Sequence, residues 1–223
     1  MPMPSESNPA STAPPGKKTR VIFGGSFDPV HVGHTTILRA AISAARATAA
    51  IVLPAYQSPH KTQHPSAEAA HRLAMLKLAF AGMPEVDISE LEISAAHAVY
   101  TFDSLQILHA ACPDDHLALL IGMDQMRALH RWYRAPDILN EVQLLIVPRV
   151  SSIDNSDIWR ELAPHWPEQS LQILRAAILP VPAITVSSTE IRRRIADRQS
   201  IAGLVQPDVE RYILNHRLYR AGP

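Results

Sequence analysis

Three glycines and two histidines stand together in Gly24-Gly25-Ser26-Phe27-Asp28-Pro29-Val30-His31-Val32-Gly33-His34. The segment follows a short apolar run, 20–23 (RVIF), and opens a stretch with helical spacing. Glycine at a strand end tolerates positive φ and lets backbone N–H groups approach a ligand closely. A helix start just beyond adds unpaired N–H donors and a dipole that favours anions. Histidines three apart project from one side of a first helical turn. His31 and His34 therefore make a compact donor pair for a phosphate whose charge grows during reaction. Other readings stand beside this one. The glycines can serve a tight turn alone, and the histidines can ligate a metal, although no third ligand is evident. A dinucleotide fingerprint would need GxGxxG spacing, which is absent.

A second candidate lies near the other end, in Val186-Ser187-Ser188-Thr189-Glu190-Ile191-Arg192. Ser187 with Glu190 fits a capping box, each side chain satisfying a backbone donor at the helix start. Capping leaves further N–H donors and Arg192 free to face the sheet edge. Arg192, Arg193 and Arg194 cannot all be buried, so at most one or two of them are expected to reach phosphate and the others to be solvated. Between these ends lie Lys61 in Pro59-His60-Lys61, Tyr100-Thr101 ahead of a helix, and Ile121-Gly122-Met123-Asp124 after a strand. Each has a plain alternative: a solvated lysine, Thr101 as a helix cap, Asp124 as a helix cap. Trp132-Tyr133 sits between Arg131 and Arg134, a polar setting in which an aromatic pair can stack on a planar ring or pack against 135–140.

These residues need a scaffold, and the apolar pattern supplies one. Strands are expected at 20–23, 50–53, 85–93, 117–121 and 142–147, with further β-type residues at 171–186 broken by Pro180 and Pro182. Helices are expected at 34–47 (Leu38, Ala41, Ile42 and Ala45 inward) and 67–81 (Ala69, Leu73, Leu76 and Phe80 inward). Others follow at 101–111, around 136–140, at 188–198 and at 207–216; 151–170 reads as a loop with a short helix. The alternation implies parallel strands with right-handed crossovers, hence a doubly wound, Rossmann-like α/β sheet with C-terminal helices. Such sheets bind ligands beyond the C-terminal strand ends, where the candidate residues fall.

Residues 1–18 carry five of the 19 prolines and little to bury, so they read as a flexible tail ahead of a single domain over 19–220. The 223 residues hold 21 Lys+Arg against 21 Asp+Glu, a net charge of zero, which argues against a nucleic-acid partner held by phosphate neutralisation. No run of about 18 apolar residues exists to span a membrane. Cys112 is the only cysteine, so an intramolecular disulfide and a multi-cysteine metal site are excluded, and a cytoplasmic location is expected.

GGSFDPVHVGH resembles the signature of the nucleotidyltransferase superfamily, whose HxGH motif binds a nucleotide triphosphate. Its fuller GG[ST]FDP form is similar to that of bacterial nicotinate-nucleotide adenylyltransferases. SSTEIR resembles the same family's ISSTxIR motif, and the likeness runs from about residue 20 to 220. It implies that Gly24, Gly25, Ser26, Phe27, His31, His34, Ser187, Ser188, Thr189 and Arg192 bind ATP. Gly122 would let the adenosine lie close to the backbone, and Asp124 would accept hydrogen bonds from a ribose. Tyr100, Thr101, Trp132, Tyr133 and Arg149 would hold nicotinate mononucleotide. His31, His34, Lys61 (in a loop like the family's PPH[KR]) and Arg192 would share the growing phosphate charge with Mg²⁺, itself held mainly by the ATP phosphates and water. The implied reaction is adenylyl transfer from ATP to nicotinate mononucleotide, giving deamido-NAD and pyrophosphate, with no covalent enzyme nucleophile. Departures from the pattern are Ser26 where Thr is commoner and Val-Ser-Ser after Arg149 in place of Pro-Gly; 153–183 and the tail align with nothing. Three alternatives remain: a phosphopantetheine adenylyltransferase, which is typically shorter and has no need of Trp132-Tyr133; an enzyme favouring nicotinamide mononucleotide; and a nucleotide-binding regulator without turnover. A homodimer is left open. The reading requires residues 31–34 and 187–192 to meet in one cleft.

Overall fold

The computed structural model describes residues 17–57, 65–148, 156–181 and 185–220. Five strands form the sheet: β1 (Thr19–Gly25), β2 (Ala49–Pro54), β3 (Val86–Ile88), β4 (His116–Gly122) and β5 (Gln143–Val147). Their order is β3-β2-β1-β4-β5 and every pairing is parallel. The order reverses between β1 and β4, which is where doubly wound sheets open their ligand crevice.

Successive residues of a strand point to opposite faces, and here each face buries its own apolar set. Val21, Phe23, Ala50, Val52, Ala118 and Leu120 pack under α1 (Val32–Ala44), α2 (Ala69–Phe80), α9 (Ser188–Ala196) and α10 (Pro207–Asn215). Ile22, Ile51, Leu53, Leu119 and Ile146 pack under α4 (Thr101–Ala111), α5 (Met123–Ala128), α6 (Ala135–Glu141), α7 (Ser156–Leu162) and α8 (Glu168–Ala176). Both faces are covered, so the central strands read as unbroken apolar runs.

Four elements differ from the sequence pattern. Only Val86–Ile88 of 85–93 pairs with β2; at Ser89 the side-chain oxygen accepts from Leu91 N–H at 3.2 Å, and the chain turns into the short helix α3 (Leu91–Ser94). The β-type stretch 171–186 begins inside α8, where Leu171 and Leu174 share the buried stripe. Beyond it, Leu179 N–H bonds Ile146 O at 2.8 Å, a brief extension of the sheet past β5. Helix α5 starts directly after Gly122, and α2 buries Arg72, Met75, Leu76 and Phe80. Its inward stripe is thus rotated from the expected one and carries an arginine. The short helix expected within 151–170 is α7. Residues 1–16 of the expected tail lie outside the described residues, as do Lys61 and Arg149. Among the described residues, no helix is long and apolar enough to cross a membrane.

Candidate active site

Strands β1 and β4 pair as far as Phe23 and Leu120. Past that point Gly24-Gly25 and Ile121-Gly122 part, and a cavity of about 150 Å³ opens between them. Gly24, Gly25, Ser26, Gly122, Thr101 and Trp132 line it, together with Glu92, Ser104 and Gln125. A Cβ at Gly24 or Gly122 would meet nothing within 4 Å, so both border open space. At Gly25 it would meet the Phe27 ring at 3.0 Å. Phe27 is buried with φ 47°, a left-handed conformation disfavoured for a large side chain, and its ring closes over Gly25.

Phe27 also sets the floor for the histidines. Its ring meets that of His34 edge-on at 5.0 Å, and His34 stacks on His31 with centroids 3.7 Å apart. His31 is the N-cap of α1, and its backbone N–H donates to His34 Nδ1 at 3.1 Å. Burial, reinforced by the charge of His31, lowers the His34 pKa well below its ordinary value. The ring is therefore neutral near pH 7. With Nδ1 accepting, its proton resides on Nε2, which makes His34 a hydrogen-bond donor without a full charge. The bare helix start offers less than expected, because Val32 N–H is taken by Leu204 O and His34 N–H by His31 O.

The start of α9 meets this loop from the far end of the sequence. Ser188 Oγ donates to Pro29 O at 2.9 Å, and Arg192 Nη1 donates to Asp28 O at 2.6 Å. The start of α9 is thus bonded to Asp28 and Pro29, just ahead of His31 on the same loop. The capping box is only half formed. Ser187 Oγ accepts from Glu190 N–H at 3.2 Å, but the Glu190 carboxylate turns to Arg193 and Arg194. Those two guanidiniums hold its pKa down to about 2. Of the three consecutive arginines, Arg192 bonds the Asp28 carbonyl while Arg193 and Arg194 hold Glu190; Thr189 is exposed.

The remaining candidates separate. Tyr100, not Thr101, is the N-cap of α4, with no side chain closing that helix start. Thr101 and the half-buried Trp132 line the cavity. Tyr133 does not join Trp132 there; it is exposed, with its ring 5.0 Å from that of Tyr100. Asp124 is exposed in a neighbouring depression shared with Arg127, His130, Arg131, Glu161 and His165.

Three buried charged groups escaped the sequence reading as site residues. Asp28 accepts from Ser66 N–H (2.6 Å), Ala67 N–H (3.1 Å) and Tyr219 O–H (2.8 Å). Arg72 donates to the carbonyls of Ser26 (2.9 Å), Ala55 (2.6 Å) and Tyr56 (3.4 Å), tying the ends of β1 and β2 together. Glu92 accepts from Ser104 Oγ at 2.8 Å beside the cavity, and burial raises its pKa against the opposing pull of that bond. Asp28 lies inside the glycine–histidine motif, whereas nothing in the sequence around Arg72 or Glu92 separates them from surface charges.

A parallel sheet whose switch-point crevice is flanked by a histidine-bearing loop and an arginine-bearing helix start defines a phosphate-handling α/β protein of the nucleotidyltransferase kind. The family described as "Cytidylyltransferase-like" matches residues 22–194. A Synechococcus sp. (strain JA-3-3Ab) protein named "Probable nicotinate-nucleotide adenylyltransferase" is 37% identical over 209 residues, covering 93% of this chain and 98% of that protein. A Neisseria meningitidis protein of the same name is 38% identical over 199 residues, covering 89% and 96%. The chain belongs to the cytidylyltransferase-like family and, within it, to the group of the nicotinate-nucleotide adenylyltransferases. In fold it is similar to Plasmodium falciparum nicotinic acid mononucleotide adenylyltransferase complexed with NaAD, with a TM-score of 0.71 at 19% identity over 91% of this chain and 97% of that one.

Proposed function

We propose that this protein transfers the adenylyl group of ATP to nicotinate mononucleotide, releasing pyrophosphate and forming deamido-NAD. The observation that carries this reading is the meeting of Asp28 and Pro29, on the loop that leads into His31 and His34, with the Ser188–Arg192 helix start. The relatives' shared name supports the choice of acceptor. The acceptor phosphate is already anionic, so it attacks the α-phosphorus in line without a covalent enzyme intermediate. The protein's part is positioning and charge stabilisation. His34 offers Nε2–H to the triphosphate, His31 orients it, and Arg192 adds a fixed positive charge. Lys61 and Arg149 are assigned supporting contacts to the substrates. Gly24 and Gly122 leave room for the nucleotide to approach the backbone, and the cavity between Thr101 and Trp132 takes the pyridine ring.

A magnesium ion would be held mainly by the nucleotide's own phosphates and water, and would supply neutralisation of phosphate charge there. Asp28, the buried carboxylate of the loop, has its oxygens occupied by protein donors, which suits an ion carried by phosphates and water.

The direct test is pyrophosphate release with ATP and each of three acceptors. Nicotinate mononucleotide should turn over fastest, nicotinamide mononucleotide more slowly and phosphopantetheine not at all. Turnover with none of the three would leave a nucleotide-binding protein and overturn the proposal. Trp132→Ala should raise KM for the mononucleotide roughly tenfold, the worth of a buried aromatic contact, with KM for ATP nearly unchanged. Equal rises in both would remove Trp132 from the ring pocket.

A further inference from the structure

We infer that Tyr219, near the C-terminus, is a positioning residue for the nucleotide cleft: by donating to Asp28 it keeps that buried carboxylate from capturing Arg192. The inference rests on the assignment of Arg192 to the ATP phosphates. Asp28 is only 4% exposed, and a buried carboxylate must find compensation close by. Here three neutral donors bond it directly, beside the more distant guanidinium charges: Ser66 N–H on Oδ2, and Ala67 N–H with Tyr219 O–H on Oδ1. Arg192 stands next in line. Its Nη1 is 3.8 Å from Asp28 Oδ2, beyond hydrogen-bond reach, while it donates to the Asp28 carbonyl at 2.6 Å. The other nearby guanidinium, Arg72, is committed to the carbonyls of Ser26 and Ala55.

Arg192 thus stands at ion-pair distance from Asp28 without a hydrogen bond to its carboxylate, its direct bond being to a neutral carbonyl. Removing one neutral donor from Asp28 leaves that carboxylate under-compensated, and Arg192 is the group able to move in. A closed Asp28–Arg192 pair in a half-buried setting is a strong, charge-assisted contact that a triphosphate must then break. The Tyr219 hydroxyl is held firmly in place. The residue adopts φ 63°, a left-handed conformation uncommon for an aromatic side chain, and packs against the sheet core. Its burial and the facing carboxylate push its phenol pKa far upward, so it remains a donor throughout the working range.

Tyr219→Phe removes the hydroxyl and keeps the ring. In the full chain, with unchanged thermal unfolding as a folding control, it should raise KM for ATP roughly tenfold, about the worth of one hydrogen bond to a charged group. KM for the mononucleotide should stay within about twofold. Placed in an Arg192→Ala background, the same change should add nothing, because residues acting through one another are non-additive. Asp28→Asn gives an independent arm: with the charge gone, Tyr219→Phe should again add nothing. An unchanged KM for ATP, an equal rise in both KM values, or additive effects with Arg192→Ala would overturn the role of Tyr219. If Arg192→Ala itself left KM for ATP unchanged, the assignment of Arg192 would fail first, and the inference with it.

Discussion

His34→Ala should lower kcat by at least about a hundredfold, the loss that follows removal of one preorganised donor to developing charge. The geometry explains why the loss appears in turnover more than in folding. The imidazole is held from one side by His31, stacked at 3.7 Å, and from the other by the edge of Phe27. Its Nδ1 is fixed by the His31 N–H, so the Nε2 proton points in one constrained direction. Alanine removes that donor and leaves the His31 N–H without its acceptor. One neutral hydrogen bond is worth about 1 kcal/mol, so a melting shift of a few degrees is expected for a chain of this size. Stability and kcat should therefore separate clearly. The pH dependence follows from the same site. Because burial and His31 lower the His34 pKa well below its ordinary value, the free enzyme already holds it neutral across the usual histidine range. Raising the pH through that range removes no proton from it, so kcat/KM, which reports the free enzyme, should show no fall traceable to His34. A fall near pH 6.5 present in the wild type and absent from His34→Ala would reverse the assignment of a neutral donor.

Why His34 is legible in the sequence while its neighbours are not is a matter of where each residue finds its partners. The glycines, His31 and His34 lie within one local segment, and the strand–turn–helix rhythm places that segment at a sheet edge. The same holds for Ser187 as a helix cap. Arg72 and Glu92 are different. Their partners are carbonyls of Ser26 and Ala55, and the hydroxyl of Ser104, brought close only by the crossing of separate elements. A charge among apolar helix residues reads as a solvated face until those acceptors are in place. Glu190 fails for the opposite reason. Its local capping partner is visible, but two arginines one turn further along draw the carboxylate away from a single amide. Helix α8 shows a third limit: an apolar run of β-type residues fits either period, and burial of Leu171 and Leu174 on one stripe decides for the helix.

Arg72 also carries the largest stability effect expected in the molecule. Its side chain is 1% exposed and spans two strand ends. Burial lowers its pKa, and the nearby charge of Asp28 works in the opposite sense, which marks a guanidinium kept charged by its surroundings. Arg72→Met preserves most of the volume and removes the donors. The Ser26 and Ala55 carbonyls would each lose a guanidinium bond, the buried Ala55 carbonyl at a cost of about 1–3 kcal/mol, and Asp28 would lose a nearby positive charge. A total loss of about 3–5 kcal/mol is expected, in the range found when one member of a buried charged network is deleted. Against a usual stability of about 5–15 kcal/mol that is a large fraction, and the melting temperature should fall by roughly 10 °C. Arg72→Lys should recover little, because an ammonium on a flexible stem cannot reproduce the planar fork that reaches both strands. Denaturant unfolding of the two variants decides the point. A loss under about 1 kcal/mol in Arg72→Met would mean that water replaces the guanidinium on those carbonyls. The ends of β1 and β2 would then be held by their sheet register alone. If the loss is large, the glycine loop depends for its position on a charge that its own sequence does not contain.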